Sequence, residues 1–255
     1  MLWQMTGDEG VIESVTPRRN LLFRQDEFRS KSFAANLDHL MVLVAVEPMY
    51  GESSLARALI AAAAAGIRCT LILNKVDLPR ADAARERLKP YAAMGLACIE
   101  LSLKHEVQAA TEILQPLLDS HCTLVLGPSG MGKSTLINLM VPQASAQVGD
   151  ISVALNSGRH TTTTTTWYWL DGQHRSALID SPGFQEFGLH HLEAAQLSSW
   201  MPDLHTQAQA CRFYNCAHLH EPGCGVRAAV DRGLISPSRY RIYAEIHAEL
   251  SRSRW

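Results

Sequence analysis

The chain has 255 residues, 47% of them hydrophobic and 19% charged, with a formal net charge of −2. This length and composition are typical of a globular α/β domain with a smaller appendage. Since no apolar run reaches the roughly 18 residues that span a bilayer, and the acidic start MLWQMTGDEG lacks the features of a secretory signal, we expect a cytoplasmic protein with no membrane partner.

Two stretches near the ends of the chain are basic. Residues 17–31 contain five basic side chains against two acids, and the last thirty residues contain six arginines against three acids. Such stretches can contact the phosphate backbone of a nucleic acid. On charge alone, two solvated surfaces are the simpler interpretation.

Short apolar runs alternate with alanine- and leucine-rich stretches through the first half of the chain. The runs predict strands at 37–46, 69–74, 97–102 and 122–127, and the stretches between them predict helices at 53–65, 80–94 and 105–119. This alternation indicates βαβ units in a parallel sheet that helices cover on both faces. Another helix follows residue 135, then a strand pair at TWYWL and SALID, and the pattern ends around residues 200–202.

The first site motif along the chain is NKVDL at 74–78, directly after the predicted strand CTLIL. The Asp77 carboxylate can accept hydrogen bonds from guanine N1 and the exocyclic N2, a pair that adenine lacks. A site built in this way rejects the wrong base by about 10⁴-fold or more, which argues against an ATP-dependent kinase. Asn74 and Lys75 would brace the loop and pack along the base. Ser102 in LSLK is the candidate that backs the guanine, although a plain strand end explains it nearly as well.

The next motif, GPSGMGKST at 127–135, fits G-x-x-x-x-G-K-[ST] and lies between a predicted strand and a predicted helix. Its glycines let backbone N–H groups point at phosphate oxygens near the positive end of a helix. Lys133 would contact the β- and γ-phosphates, and the Ser134 hydroxyl would bind Mg²⁺. The other predicted nucleotide contacts in this loop are Gly127, Ser129, Gly130, Met131, Gly132 and Thr135.

Two switch motifs follow the phosphate loop. GRHTTTTTT supplies a threonine for the metal ion, and we select Thr162; Thr161 and Thr163 are the alternatives, because six threonines in a row do not fix the register. LIDSPGF supplies Asp180 and Gly183 in a D-x-P-G motif. Asp180 would hold Mg²⁺ through water, and the Gly183 N–H would sense the γ-phosphate.

The motifs stand in an unusual order, because the base-reading motif precedes the phosphate loop. A permuted chain can build the same pocket as an ordinary GTPase if the original termini lay close together. The sequence therefore predicts a circularly permuted GTPase sheet. In this arrangement D-x-P-G leads towards the cysteine cluster that follows, so movement of the switch on hydrolysis would act on that cluster.

That cluster has the spacing C-x₄-C-x-H-x₅-C, formed by Cys211, Cys216, His218 and Cys224. Three thiolates and an imidazole close a tetrahedral structural Zn²⁺ site, with one ion per chain and no open position. In a cytosolic protein this interpretation is favoured over a disulfide. His220 is expected to face solvent, and the remaining cysteines (Cys69, Cys98 and Cys122) are expected to be small buried hydrophobic residues.

Together these motifs resemble the RsgA or YjeQ family of circularly permuted GTPases that depend on the small ribosomal subunit. The resemblance extends from Gly10 onward and rests on PRRNLLFR, AANLDHLMVLVA, LNKVDL, GPSGMGKSTLIN, GRHTTT, LIDSPGFQEFGL and CRFYNCAHLHEPGCGV. It implies hydrolysis of GTP to GDP, stimulated by the 30S subunit late in its maturation. It also implies an N-terminal OB-fold and a C-terminal zinc domain that contact 16S rRNA; we expect the chain to be a monomer.

The resemblance divides the chain into three regions. Residues 1–34 are the expected partial OB-type β segment, 35–200 the permuted P-loop GTPase domain of α/β class, and 201–255 a small zinc-binding helical domain. The family's OB-fold is a five-stranded barrel, longer than the segment found here, and the threonine run is longer than is usual in the family. An alternative function is therefore a guanine-nucleotide-binding module with impaired docking to the ribosome.

The resemblance also points to a catalytic histidine. Many GTPases orient the attacking water with a glutamine close to D-x-P-G, but Phe184 occupies that place. The resemblance implies instead that His160 in GRHTTT swings in when the ribosome orders its loop, alongside Lys133 and Thr162 as catalytic residues. The alternative is a surface histidine with no catalytic role.

Overall fold

A computed structural model describes residues 2–6, 9–144, 165–183 and 187–252 of the chain. The N-terminal region consists of two antiparallel strand pairs. Strand β1 (Leu2–Thr6) pairs with β2 (Glu9–Ser14), and β3 (Leu21–Gln25) pairs with β4 (Ser30–Ala35).

A six-stranded sheet forms the centre of the molecule. Its strands are β5 (His39–Ala45), β6 (Arg68–Asn74), β7 (Ala97–Leu101), β8 (Cys122–Leu126), β9 (Thr166–Trp169) and β10 (Ala177–Asp180), in the spatial order β7-β6-β5-β8-β10-β9. All neighbours are parallel except β9, which pairs antiparallel with β10 at one edge. The four strands predicted in the first half and the later strand pair are therefore present, within one or two residues of the predicted bounds.

Four helices cover this sheet: α1 (Glu52–Ala64), α2 (Ala81–Ala93), α3 (Val107–Leu118) and α4 (Lys133–Met140). Helix α1 packs on β5 and β6, α2 on β7, and α4 on β10. Every residue of β5 is buried, because a central strand of a sheet covered on both faces has no solvent side. That environment explains the unbroken apolar run by which β5 could be predicted.

The prediction that Cys98 is buried is wrong, because β7 lies at the edge of the sheet. Cys98 is exposed rather than buried, whereas Cys69 and Cys122 are partly buried in strands β6 and β8. The sequence ACIEL resembles a core strand, but β7 has a neighbour on one side only and its first two residues are exposed. An apolar run alone does not distinguish an edge strand from a central one.

Short helices form the C-terminal region. They are α5 (Pro202–Ala208), α6 (Gly225–Asp231) and α7 (Pro237–Leu250), preceded by a 3₁₀ helix at Ala194–Trp200; another 3₁₀ turn (Pro142–Ala144) follows α4. Helix α7 begins with Pro237 at its first position, and the Ser236 side chain accepts a hydrogen bond from the backbone N–H of Arg239, which is the ordinary chemistry of a helix start.

Arg239 connects the C-terminal region to helix α2, which covers the central sheet. Its guanidinium is buried, donates two hydrogen bonds of 3.0 Å to the Asp203 carboxylate, and lies 5.1 Å from the centre of the Tyr91 ring on α2. This residue belongs to the basic C-terminal stretch, yet it is neither solvated nor available to a phosphate. Removing one partner of a buried pair leaves an uncompensated charge, so this contact depends on both.

The parallel strands place one set of chain segments at a common edge of the sheet. Residues 46, 74, 127 and 181 lie at or just beyond the carboxyl ends of β5, β6, β8 and β10. Ligands of open α/β sheets bind at this edge. Among the described residues, no helix is long and apolar enough to cross a membrane.

Candidate functional site

The phosphate loop joins β8 to α4, and two of its glycines lie where a side chain has no room. A Cβ on Gly127 would collide with the carbonyl oxygen of Leu43, and a Cβ on Gly132 would collide with the side-chain amide of Asn74. Gly132 also has a φ of 107°, which L-residues rarely adopt. The loop therefore packs directly against the end of β5 and against the base-reading motif.

Lys133 at the start of α4 is held inside this loop. Its ammonium donates hydrogen bonds of 2.9 Å to the carbonyl oxygens of Gly127 and Pro128, and the residue is buried. Burial lowers the pKa of Lys133 to about 8, and the nearby Asp180 carboxylate opposes that shift. Contacts within the loop thus fix the position of this ammonium.

The D-x-P-G motif lies beside the same loop. Asp180 ends β10 and is buried, and the following Ser181 donates a hydrogen bond of 2.7 Å to the carbonyl oxygen of Val125 on β8. A Cβ placed on Gly183 would lie 3.1 Å from the backbone nitrogen of Ser129 and 3.3 Å from the Lys133 ammonium. Gly183 therefore approaches the loop where a terminal phosphate would lie, while Ser134 and Thr135 occupy the first turn of α4.

Asn74 and Lys75 connect the base-reading motif to the phosphate loop. The Asn74 amide donates to the carbonyl oxygen of Met131 at 2.9 Å and accepts from the N–H of Leu103 at 3.2 Å. The Lys75 ammonium donates to the carbonyl oxygen of Gly130 at 2.9 Å and to that of Glu47 at 2.6 Å. These contacts hold three separate chain segments in one arrangement.

Asp77 is oriented by Ser102. The Ser102 hydroxyl donates a hydrogen bond of 2.5 Å to Oδ1 of Asp77, and this bond is the main reason that the pKa of Asp77 is lowered. The carboxylate is therefore ionised near neutral pH and remains partly exposed to an incoming ligand. Ser102, proposed from the sequence to back the guanine, contacts the carboxylate that would read the base.

His105 was not singled out from the sequence. Its Nε2 lies 3.6 Å from Oδ2 of Asp77, and its side chain is largely exposed. Its only sequence signal is its place directly after LSLK, where a residue that follows the strand end can turn towards the base.

A cavity of about 290 Å³ joins the two motifs. Asp77, Lys104 and His105 line one part of it, and Gly132 and Thr135 of the phosphate loop line another. The base-reading and phosphate-binding segments are far apart in the chain, yet they share this cleft. Its lining combines the Asp77 carboxylate, the basic side chains of Lys75 and Lys104 and the start of α4, which together suit a purine nucleotide with an anionic tail.

Two predicted catalytic residues cannot be placed. His160 and Thr162 lie outside the described residues, as do Thr161, Thr163 and Phe184. Their roles stay predictions.

The predicted metal ligands come together in the C-terminal region. The candidate ligand atoms of Cys211, Cys216, His218 and Cys224 all lie within 4.8 Å of one another. The Sγ atoms of Cys211 and Cys224 are 3.9 Å apart, and they lie 3.4 and 3.6 Å from Nδ1 of His218. Tetrahedral coordination at a Zn–S distance of 2.3 Å gives sulfur atoms about 3.8 Å apart, so the cluster is compatible with a structural metal ion.

Neighbouring groups orient these ligands. The N–H groups of Gly225 and Arg227 donate to the sulfur atoms of Cys211 and Cys224 at 3.3 and 3.4 Å. The Tyr240 hydroxyl donates to the carbonyl oxygen of His218 at 2.8 Å. Such contacts fix the geometry of metal sites.

Glu221 fixes the loop that carries His218. It accepts hydrogen bonds from the N–H groups of Ala217, Leu219 and His220 at 2.7 to 3.1 Å. Burial alone would raise the pKa of Glu221, but these bonds lower it to about 2. The side chain of His220 is exposed, as expected of a residue that is not a ligand.

Comparison with known proteins identifies close relatives of this chain. Residues 15–190 match the RsgA GTPase family. The chain is 58% identical over 258 residues to the small ribosomal subunit biogenesis GTPase RsgA of Variovorax paradoxus, which covers 99% of this chain and 81% of that protein. It is 52% identical over 247 residues to the protein of the same name from Burkholderia mallei, covering 96% of this chain and 78% of that protein.

Solved structures give the same fold. YjeQ from Thermotoga maritima superposes with a TM-score of 0.75 at 28% identity, over 96% of this chain and 80% of that one. YloQ, described as a circularly permuted GTPase, superposes with a TM-score of 0.72 at 24% identity, over 99% of this chain and 80% of that one. The predicted permuted α/β fold class is therefore confirmed.

Proposed function

The chain belongs to the RsgA GTPase family, as its motifs predicted, and from this premise we propose that it hydrolyses GTP in the late maturation of the small ribosomal subunit. The observation that carries the proposal is the cleft shared by Asp77 and the phosphate loop. The ribosomal partner comes from the relatives, which are named for biogenesis of that subunit. We take the ligands to be GTP and GDP, and the contacted RNA to be 16S rRNA.

Guanine recognition is assigned to Asp77. Because Ser102 already donates to Oδ1, the carboxylate plane is fixed, and both oxygens retain lone pairs for the N1 and N2 hydrogens of the base. Asn74 and Lys75 keep this carboxylate at a constant distance from the phosphate loop through their bonds to Met131 and Gly130.

Phosphate binding is assigned to the loop N–H groups and to Lys133. A buried, preplaced ammonium stabilises negative charge more strongly than an exposed one, and it needs no rearrangement when the γ-phosphate is transferred to water. Gly183, beside Ser129 and Lys133, is placed to sense the γ-phosphate.

A Mg²⁺ ion fits the donors near this loop. The Ser134 hydroxyl lies in the first turn of α4, and the buried Asp180 carboxylate ends the neighbouring strand; hard oxygen donors of this kind suit Mg²⁺. Bound with GTP, the ion would neutralise charge on the β- and γ-phosphates. We propose Thr162 as the further hydroxyl ligand.

The cysteine cluster is proposed to hold one structural Zn²⁺. Its three sulfur atoms and one imidazole are the donor set that zinc prefers, and four protein ligands leave no position for a reacting water. The ion would stabilise the region between α5 and α7 and take no part in hydrolysis.

Stimulation by the ribosome tests the function. We expect GTP turnover by the full chain to rise by an order of magnitude or more when purified 30S subunits are added, and to stay at its basal rate with 50S subunits. Phosphate release measured over a series of subunit concentrations checks this. Equal turnover with both subunits would contradict the proposal.

Base recognition is tested at Asp77. The substitution Asp77→Asn removes two hydrogen bonds to a charged acceptor, each contributing about 1.5–3 kcal/mol, so GTP affinity is expected to fall by about 10²- to 10⁴-fold. Affinity for xanthosine triphosphate is expected to rise, because an amide N–H can donate to the xanthine oxygen. Titration with fluorescent nucleotides measures both, and Asp119→Asn, at an exposed position directly after α3, serves as the control. An unchanged preference for guanine would remove Asp77 from base recognition.

We assign the orientation of the attacking water to His160, because the family resemblance implies this role. The substitution His160→Ala is expected to abolish the 30S-stimulated turnover while GTP affinity stays near its original value, because the imidazole would act only after the loop is ordered. The control is His205→Ala, at an exposed position on α5. Full stimulation of the His160 variant would show that another group orients the water.

A further inference from the structure

The segment that follows the D-x-P-G motif docks on the β3–β4 pair, which we call the N-terminal hairpin. The N–H of Gln25 donates to the carbonyl oxygen of Gly188 at 3.0 Å, and the N–H of His190 donates to the carbonyl oxygen of Gln25 at 3.0 Å. Gln25 and Leu189 form a parallel β-bridge. The segment thus lies beside the end of β3 through this isolated bridge, although it is remote from β3 in sequence.

Side-chain packing also holds this segment in place. The rings of Phe187 and Phe33 are stacked, with centroids 5.6 Å apart and planes 11° from parallel. His191 lies against Phe23 with ring centroids 4.1 Å apart. Phe187 and Leu189 are almost fully buried. We call residues 187–191 the strap.

Gly188 is the point of closest approach in the strap. A Cβ at this position would collide with the carbonyl oxygen of Gln25, and the carbonyl carbon and the next backbone nitrogen are also too close. Backbone atoms cannot move aside as the end of a flexible side chain can. Alanine at 188 is therefore incompatible with the strand contact as it stands.

The strap also contacts the C-terminal region. Nε2 of His190 lies 3.2 Å from Oε1 of Glu249 on α7, and the same carboxylate is paired with the guanidinium of Arg57 on α1. Contacts with the hairpin and with Glu249 of α7 therefore hold the strap, and Arg57 of α1 holds Glu249 in turn.

The other end leads to the phosphate site. Gly183 lies beside Ser129 and Lys133, and Phe187 follows it by four residues. Four residues span at most about 14 Å when fully extended. The anchored strap therefore begins within about 14 Å of Gly183, close to the loop that Gly183 approaches.

We propose that the strap positions Gly183 for sensing the γ-phosphate, with Gly188 and Gln25 as positioning residues, so that the N-terminal hairpin responds to the bound nucleotide. Coupling between two sites is reciprocal. If GTP and GDP place Gly183 differently, they stabilise the Gln25–Gly188 contact to different extents. Loss of that contact then changes the ratio of the affinities for the two nucleotides. The inference rests on the proposed GTP site and adds a path from it to the hairpin.

The test compares Gly188→Ala with Gly172→Ala in the full chain. Gly172 has open space around its Cβ position, so it reports the cost of the added methyl group alone. Affinities for a non-hydrolysable GTP analogue and for GDP are measured by titration. For Gly188→Ala we expect the analogue to bind about fivefold or more weakly and GDP to bind as before; Gly172→Ala is expected to change neither.

A second variant disrupts the Gln25–Gly188 contact at Gln25 instead of Gly188. Gln25→Pro removes the N–H that donates to Gly188, at a residue whose N–H faces the strap rather than β4. Thermal unfolding and zinc content establish that each variant is folded. The proposal is overturned if both variants lose the same affinity for the GTP analogue and for GDP. It is also overturned if both variants bind the two nucleotides as tightly as the unaltered chain does.

Hydrogen exchange in the unaltered chain gives an independent readout. The amides of Gln25 and His190 are expected to exchange more slowly with the GTP analogue than with GDP, since the contact is tighter when Gly183 is engaged. Identical exchange in the two states would overturn the proposal. Failure of the unaltered chain to bind either nucleotide would instead refute the GTP site itself, so the two failures are distinguishable.

Discussion

Replacing Lys133 with methionine is expected to lower GTP turnover by about 10²- to 10³-fold or more, the cost of removing one preplaced group that stabilises transition-state charge. The ammonium is held by the carbonyl oxygens of Gly127 and Pro128 at 2.9 Å, so the fold fixes its position in the phosphate loop. Methionine matches its length and is apolar. Because burial disfavours the charged form of Lys133 and lowers its pKa to about 8, the fold is expected to tolerate this change.

Single-turnover phosphate release and nucleotide titration measure the effect, with thermal unfolding as the check on folding. The matched control is Lys89→Met on α2, where the side chain is largely exposed and paired with Glu86; such a surface pair contributes at most about 1 kcal/mol. If Lys133→Met hydrolysed GTP at the rate of the control, the phosphate loop would not be the catalytic site.

The central sheet could be predicted because local sequence determines its strands and helices. The run LDHLMVLVAV gives β5, whose residues are all buried, and glycine positions in GPSGMGKST match places where a Cβ has no room. Motifs of this kind encode a local conformation, so they survive a permutation of the chain. Their order was sufficient to predict how the sheet had been rejoined.

Contacts between remote segments could not be predicted in this way. Arg239 lies in a stretch whose charge suggested a solvated or RNA-binding surface, but it is buried against Asp203. Arg19, in the other basic stretch, pairs with Asp38 at 2.9 Å. A count of charges does not reveal which of them find partners when helices and hairpins dock. The contact of Gln25 with Gly188 likewise carries no periodic signal in either segment.

In the candidate site too, the local motifs could be predicted from the sequence, whereas the contacts between segments could not. NKVDL predicted Asp77, and the structure adds the contact from Ser102, which depends on two neighbouring strands ending side by side. The role of Lys75 in joining Gly130 to Glu47 required three segments to be placed. Residue types could be assigned from spacing, whereas the hydrogen bonds that orient them needed the fold.

Cys224→Ser is expected to have the largest effect on stability, because it removes a ligand from the proposed zinc site. Metal binding to structural zinc sites contributes about 10–16 kcal/mol in zinc-finger peptides at pH 7, and a missing thiolate forfeits much of it. Cys224 also accepts a hydrogen bond from the N–H of Arg227 at the start of α6; because a serine hydroxyl can keep this cap, the expected loss comes from the missing metal ligand. Zinc content is expected to fall from one ion per chain to nearly none, and the unfolding temperature of the C-terminal region to fall with it.

The discriminating measurement is nucleotide affinity in the same variant. The base and phosphate contacts come from residues 74–183, and none of the cluster's four ligands lines the described nucleotide cavity. GTP affinity is therefore expected to persist after the metal is lost, whereas binding to 30S subunits is expected to fail. Cys98→Ser, on the exposed edge strand β7, should retain zinc, stability and both kinds of binding. A Cys224→Ser chain that kept one zinc ion and its original unfolding temperature would show that the four residues do not form a structural metal site, and that hydrogen bonds such as those of Tyr240 and Glu221 suffice to hold this region together.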